Sequence, residues 1–258
     1  MNIDYTGKSI VITGAGGGIG DAAAKLFAEM GAQVFAVDIN ADALSTTADS
    51  IAAEGGMVVP FTADVTQADE VDRFIDAALA HFGKVDVLFN NAGGSFPTPM
   101  GDIDRNEFER IRALNFDAVY HASLRVLPEM VKNGGGNIVS TTSSAGTGAV
   151  HGLGVYGAAK AGVNSLTRSI AIEYGRQGIR ANAIAPSAAS PGMIAWLETL
   201  PGGVEGFAAK QPMGRLGTPA EVAQVAAYLA SNYASFINGV TIPVDGGIEA
   251  MLATTPID

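Results

Sequence analysis

The chain has 258 residues, 26 of them acidic and 15 basic, giving a formal charge of −11 with histidine neutral. That balance repels phosphate backbones and anionic lipid, so nucleic acid and membrane surfaces are poor partners. Cysteine is absent, which excludes disulfides, zinc–thiolate sites and cysteine nucleophiles, whereas glycine, at 33 residues, is nearly twice its usual share of ~7%.

Met1-Asn2-Ile3-Asp4-Tyr5 lacks the basic and apolar regions of a signal peptide, and no apolar run reaches the ~18 residues of a membrane span. A cytoplasmic protein is expected. Ser9 to Thr13 is a short β-branched run bounded by Gly14, as a buried strand would be. Apolar residues then recur at three and four from Ile19 to Met30, predicting a helix that stops at Gly31. The alternation continues with a strand at 33–37, a helix at 41–53, a strand at 57–61 and a helix at 70–82. A strand at 85–89 precedes a mostly helical stretch from Arg105 to Val131. A strand at 137–140, a helix at 156–174 and a strand at 179–184 follow. Such alternation predicts a single α/β domain: a doubly wound, parallel, Rossmann-like sheet flanked by helices. Ligands of such sheets sit at the carboxyl edge of the strands, where strand order reverses. Only 186–219, with six glycines and five prolines, breaks the rhythm, as a mobile lid or binding loop does.

The glycines cluster. Thr13-Gly14-Ala15-Gly16-Gly17-Gly18-Ile19-Gly20 joins the first strand to the first helix with spacing G-x-x-x-G-x-G. Glycines there let backbone approach a pyrophosphate, and the helix N-terminus supplies free N–H groups. Asp38 ends the second strand, where a carboxylate can bond both hydroxyls of an adenosine ribose and repel a 2′-phosphate. Ala15, Gly16, Gly17 and Ile39 offer no cation to offset it, which favours NAD over NADP. Tyr156 and Lys160 are four apart at the start of a helix and therefore share a face. A nearby ammonium lowers a phenol's pKa toward the range of general base catalysis.

These residues resemble the short-chain dehydrogenase/reductase family over nearly the whole chain. The likeness rests on Thr13 to Gly20, Asp64-Val65, Asn90-Asn91-Ala92-Gly93, Asn115, Ser143, Tyr156 with Lys160, and the ending Pro243-Val244-Asp245-Gly246-Gly247. The resemblance implies a homo-oligomer, most often a tetramer, that moves hydride between a nicotinamide and an alcohol or carbonyl. It assigns Tyr156 as acid/base, Lys160 as the group that lowers its pKa and holds the nicotinamide ribose, Ser143 as donor to the substrate oxygen, and Asn115 as holder of a water beside Lys160. For the dinucleotide it implies Gly14, Gly18, Ile19 and Gly20 at the pyrophosphate, Asp38 at the ribose, and Asp64 and Val65 at the adenine. Asn91 and Ala92 would border the adenosine ribose, and Ala189 the nicotinamide. The helix 220–231 resembles the family's subunit interface.

One stretch departs from the family pattern: Pro186 is followed by Ser187 rather than glycine, and Ser190 stands where threonine is usual. A locally altered path with dinucleotide binding retained is expected. Between Pro191 and Met213 the chain supplies Met193, Ile194, Trp196, Leu197 and Phe207 with a single basic residue, Lys210. Phe96, Pro97 and Met100 could form the opposite wall, and no Arg fork for an anionic substrate is evident. The expected substrate is an apolar or cyclic secondary alcohol, or its ketone. A 3-oxoacyl-carrier-protein reductase, a sugar or steroid dehydrogenase, and a non-catalytic NAD-binding oligomer are the alternatives. No metal is expected.

Overall fold

A computed structural model describes residues 3–187 and 190–251. Its strands are Ser9–Thr13 (β1), Gln33–Asp38 (β2), Met57–Thr62 (β3), Val87–Asn90 (β4), Gly136–Thr141 (β5), Ile179–Pro186 (β6) and Thr241–Val244 (β7). Among the described residues they form one parallel sheet in the order β3-β2-β1-β4-β5-β6-β7. The helices are Gly18–Glu29 (α1), Ala41–Ala53 (α2), Ala68–Phe82 (α3), Arg105–Arg112 (α4), Ala118–Lys132 (α5), Gly154–Tyr174 (α6), Pro191–Leu197 (α7), Gly203–Ala208 (α8) and Pro219–Ala230 (α9).

The sheet is buried on both faces, which is why its central strands read as continuous apolar runs. Alternate residues go to opposite cores. Ile10, Ile12, Val34 and Ala36 join α1 and α9 residues on one side, while Val11, Phe35 and Val37 join Phe74, Ile75, Val126 and Met130 on the other. Both edge strands contain a proline, Pro60 in β3 and Pro243 in β7, where a missing N–H breaks no central ladder. Strand order reverses between β1 and β4, opening a crevice at Thr13 and Asn90.

Three features differ from the periodicity reading. β7, a four-residue edge strand, is too short to announce itself. The helical stretch 105–131 is interrupted by a π-type turn, Ala113–Asp117, that keeps helical dihedrals at both ends. The irregular stretch 186–219 contains α7 and α8; Ser190 caps α7 by accepting the Met193 N–H at 3.3 Å, with Pro191 at the first helical position. The path after Pro186 stays attached to the sheet, since the Ser187 N–H donates to the Val244 carbonyl at 3.0 Å. The expected 220–231 helix is α9. Its apolar face (Val222, Ala223, Ala226, Ala227 and Leu229) is buried in the chain's own core. Among the described residues no helix is long and apolar enough to cross a membrane.

Candidate active site

The glycine loop is built for close approach. A methyl group at Gly20 would lie 1.9 Å from the Gly14 carbonyl oxygen, and one at Gly14 would lie 2.9 Å from Ala92 Cα. Only bare backbone lets β1 turn this tightly into α1 beside the β4 turn. Gly17 precedes α1 and brings no side-chain cap, which leaves the first-turn N–H groups of Gly18, Ile19 and Gly20 to an anion. The Ile19 side chain packs on the core instead.

Asp38 closes the far end of this cradle. One carboxylate oxygen accepts the Gly16 N–H at 2.8 Å and the other the Asn40 N–H at 2.9 Å. Ile39 beside it is exposed and uncharged. Val65 is buried in the core, and Asp64 accepts the Thr66 N–H and hydroxyl at 2.9 and 2.7 Å, shaping the turn after β3. Asn91 turns inward: its amide donates to the Thr13 carbonyl at 3.1 Å and its oxygen accepts the Thr141 hydroxyl at 3.2 Å. Thr13 in turn accepts the N–H groups of Asn91 and Ala92 at 3.0 and 3.1 Å. These bonds brace the carboxyl ends of β1, β4 and β5, and they leave the backbone of 91–92, rather than the Asn91 side chain, to line the crevice. Ala189 lies outside the described residues.

Four residues converge past β5. Lys160 is 1% exposed, and its ammonium donates to the Thr141 carbonyl at 2.8 Å. It also sits 5.7 Å from the centre of the Tyr156 ring. Asn115, carried inward by the π-type turn, is fully buried; its oxygen accepts the Gly94 N–H at 2.9 Å and its amide donates to the carbonyls of Gly94 and Ile111. Asn115 and Lys160 share a neighbour, for a methyl group at Gly93 would lie 2.9 Å from both Asn115 Oδ1 and Lys160 Nζ. Ser143 caps the turn after β5, accepting the Ala145 N–H at 3.1 Å.

Electrostatics modify the expected Tyr–Lys relation. Burial pushes the Tyr156 phenol above its ordinary value, and the counterweight is hydrogen bonding with Ser143. Burial also brings Lys160 down to about 8. The ammonium faces the Tyr156 ring and donates to a backbone carbonyl, and burial dominates, so the net shift of the phenol is upward. Several supports were not legible in sequence. Thr13 and Thr141 are ordinary strand residues until strand order is known. Asn164, buried in α6, links the Gly146 carbonyl to the Thr241 hydroxyl at 3.1 Å each.

A parallel sheet with a glycine turn and open helix N-terminus at its switch point defines the α/β dinucleotide-binding class. A family model described as enoyl-(acyl carrier protein) reductase matches residues 14–249. The 7alpha-hydroxysteroid dehydrogenase of Escherichia coli (strain K12) is 39% identical over 246 residues, covering 95% of this chain and 96% of that protein. The cis-4-hydroxycyclohexanecarboxylate dehydrogenase of Sinomonas cyclohexanicum is 40% identical over 253 residues, 97% of this chain and 100% of that protein. A solved structure of 7alpha-hydroxysteroid dehydrogenase with NADH and 7-oxo glycochenodeoxycholic acid superposes with a TM-score of 0.89 at 38% identity, covering 95% and 96% of the two chains. The chain belongs to the short-chain dehydrogenase/reductase family of oxidoreductases.

Proposed function

We propose that the protein is an NAD-preferring dehydrogenase acting on a mostly apolar or cyclic secondary alcohol, or its ketone. The observation that carries this reading is the meeting of Tyr156, Lys160, Ser143 and Asn115 at the carboxyl edge of the sheet. The glycine cradle, with its open α1 N-terminus, fits a dinucleotide pyrophosphate, and Asp38 fits the adenosine ribose. Bound there, NAD supplies the hydride acceptor and NADH the donor.

The chain's own residues handle the proton. Tyr156 exchanges it with the substrate oxygen, and Ser143 donates to that oxygen as negative charge develops. Lys160 stabilises charge on the phenol and holds the nicotinamide ribose. Asn115 fixes the 93–94 backbone against Lys160, where a water can return protons to solvent.

Apolar walls support the substrate class. Pro97 and Met100 lie against Gly152 and Gly154, directly before Tyr156, and the Thr98 N–H donates to the Gly152 carbonyl at 2.8 Å. Phe96 and Met100 are more than half exposed. In the 186–219 segment, which we assign as the substrate lid, Trp196 and Phe207 meet edge to face at 6.3 Å. The two relatives described above are named for hydroxyls on rings. Exposed Phe108, Tyr120, Leu124 and Ile172 on α4 to α6 support a homo-oligomer, and the family resemblance favours a tetramer.

A panel of cyclic and acyclic ketones and alcohols, read at the nicotinamide absorbance with NAD(H) and NADP(H) in parallel, tests the reading. Cyclic secondary alcohols are expected to turn over with NAD, and kcat/KM is expected to be about 10²-fold lower with NADP, because a 2′-phosphate meets the uncompensated Asp38 carboxylate. Asp38→Ala is expected to close most of that gap. Equal use of NADP by the wild type overturns the assignment. A second reading, a 3-oxoacyl-carrier-protein thioester substrate, is favoured by the 35% identity over 243 residues to a 3-oxoacyl-[acyl-carrier-protein] reductase of Thermotoga maritima. Faster reduction of a 3-oxoacyl thioester than of any cyclic ketone would establish it.

A further inference from the structure

The ending Pro243 to Gly247 has no part in the chemistry above, yet it folds a defined turn. Both oxygens of Asp245 are engaged: Oδ1 accepts the Gly247 N–H at 2.9 Å and Oδ2 the Glu249 N–H at 2.7 Å. This turn projects Glu249 back over the segment between Ser143 and Tyr156. There the Thr147 hydroxyl donates to Glu249 Oε1 at 2.5 Å, across 102 residues of sequence. The same turn borders the lid, since methyl groups at Gly246 and Gly247 would touch Met213 at 3.6 Å and Pro212 at 3.5 Å.

We propose that Glu249 is a positioning residue that clasps the Ser143 loop through Thr147. The inference rests on the assignment of Ser143 as donor to the substrate oxygen. The loop is short and internally bonded, the Gly146 N–H donating to the Ser143 carbonyl at 2.8 Å and the Gly148 N–H to the Ser144 carbonyl at 2.9 Å. It is held from beneath by Asn164 through Gly146. Glu249 holds it from the solvent side, so the two contacts fix the loop between α6 and the carboxy-terminal turn. The Thr147 hydroxyl has one proton and two acceptors within reach, Glu249 and the Ser144 carbonyl at 3.1 Å. The shorter, charged acceptor takes it. Without Glu249 the proton swings to Ser144, so the hydroxyl keeps a partner and the variant folds; what is lost is the link between the loop and the turn.

Amide hydrogen exchange and steady-state kinetics on the full chain test this, using the fastest ketone of the panel with NADH. Glu249→Ala is expected to speed exchange at Gly146, Thr147 and Gly148 and to lower kcat about fivefold, the size of one solvent-exposed hydrogen bond. The KM for NADH stays unchanged, and Glu249→Gln, whose amide oxygen still accepts, restores most of the rate. Thr147→Val combined with Glu249→Ala is expected to be no slower than either alone. Unchanged exchange and kcat in Glu249→Ala, or additive losses in the double variant, overturn the clasp. A Ser143→Ala variant separates the two layers: if it retains full kcat, the role of Ser143 is wrong, while the exchange data still report on the clasp.

Discussion

Tyr156→Phe lowers both ketone reduction and alcohol oxidation by about 10³-fold, the usual contribution of a positioned general acid–base group. The substitution removes one oxygen from a ring that keeps its contact with the Lys160 ammonium. Dinucleotide binding, governed by the glycine cradle and Asp38, is expected to stay near the wild-type level in a fluorescence titration with NADH. The unmodified enzyme carries a pH signature as well. Burial holds the phenol above its ordinary value, so Tyr156 is protonated at neutral pH and ready to donate to a ketone. Alcohol oxidation needs the phenolate and therefore accelerates as pH rises from 7. That rise flattens above pH 8, as Lys160, with a pKa of about 8, gives up the ammonium that stabilises the phenolate. A Tyr156→Phe variant within tenfold of wild type would remove Tyr156 from the chemistry.

How much of this was legible in the sequence depends on the range of the interaction. β1, α1 and β2 could be read because their signals are local: short apolar runs, apolar spacing of three and four, and a glycine just after β1 and α1. The Tyr156–Lys160 face could be read for the same reason, since helical geometry alone places residues four apart together. Asp38 was readable as a strand-end carboxylate, but its bond to the Gly16 N–H depends on a parallel neighbour. Asn91 was expected at the ribose, yet its side chain braces three strands, because strand order brings Thr13 and Thr141 to either side of it. The π-type turn around Asn115 was invisible because one widened turn leaves the apolar periodicity of 105–131 almost intact. α7 and α8 are too short for periodicity to register, although Ser190-Pro191 is a readable helix start. The Thr147–Glu249 contact spans 102 residues of the chain, and nothing local announces it.

Lys160→Met separates function from stability at one buried position. Catalysis is expected to fall about 10³-fold, since the phenol loses the charge that stabilises its conjugate base. Stability should change in a pH-dependent way whose sign follows from burial. Lys160 titrates near 8 in the folded chain against an ordinary value of 10.5. Between those values the unfolded chain binds more protons than the folded one, so this group makes the wild type more stable as pH rises. Below pH 8 the folded protein carries the full cost of a desolvated ammonium, offset only in part by the Thr141 carbonyl. Methionine has similar length and no charge, so the variant lacks that dependence. The melting temperature of the wild type, measured relative to Lys160→Met, is therefore expected to climb from pH 8 to pH 10 and to stay level from pH 6 to pH 7.5. A difference that is flat across the whole range would show that the ammonium is solvated rather than buried. A difference that rises as expected, with catalysis lost, identifies Lys160 as a charge retained for chemistry against the interest of the fold.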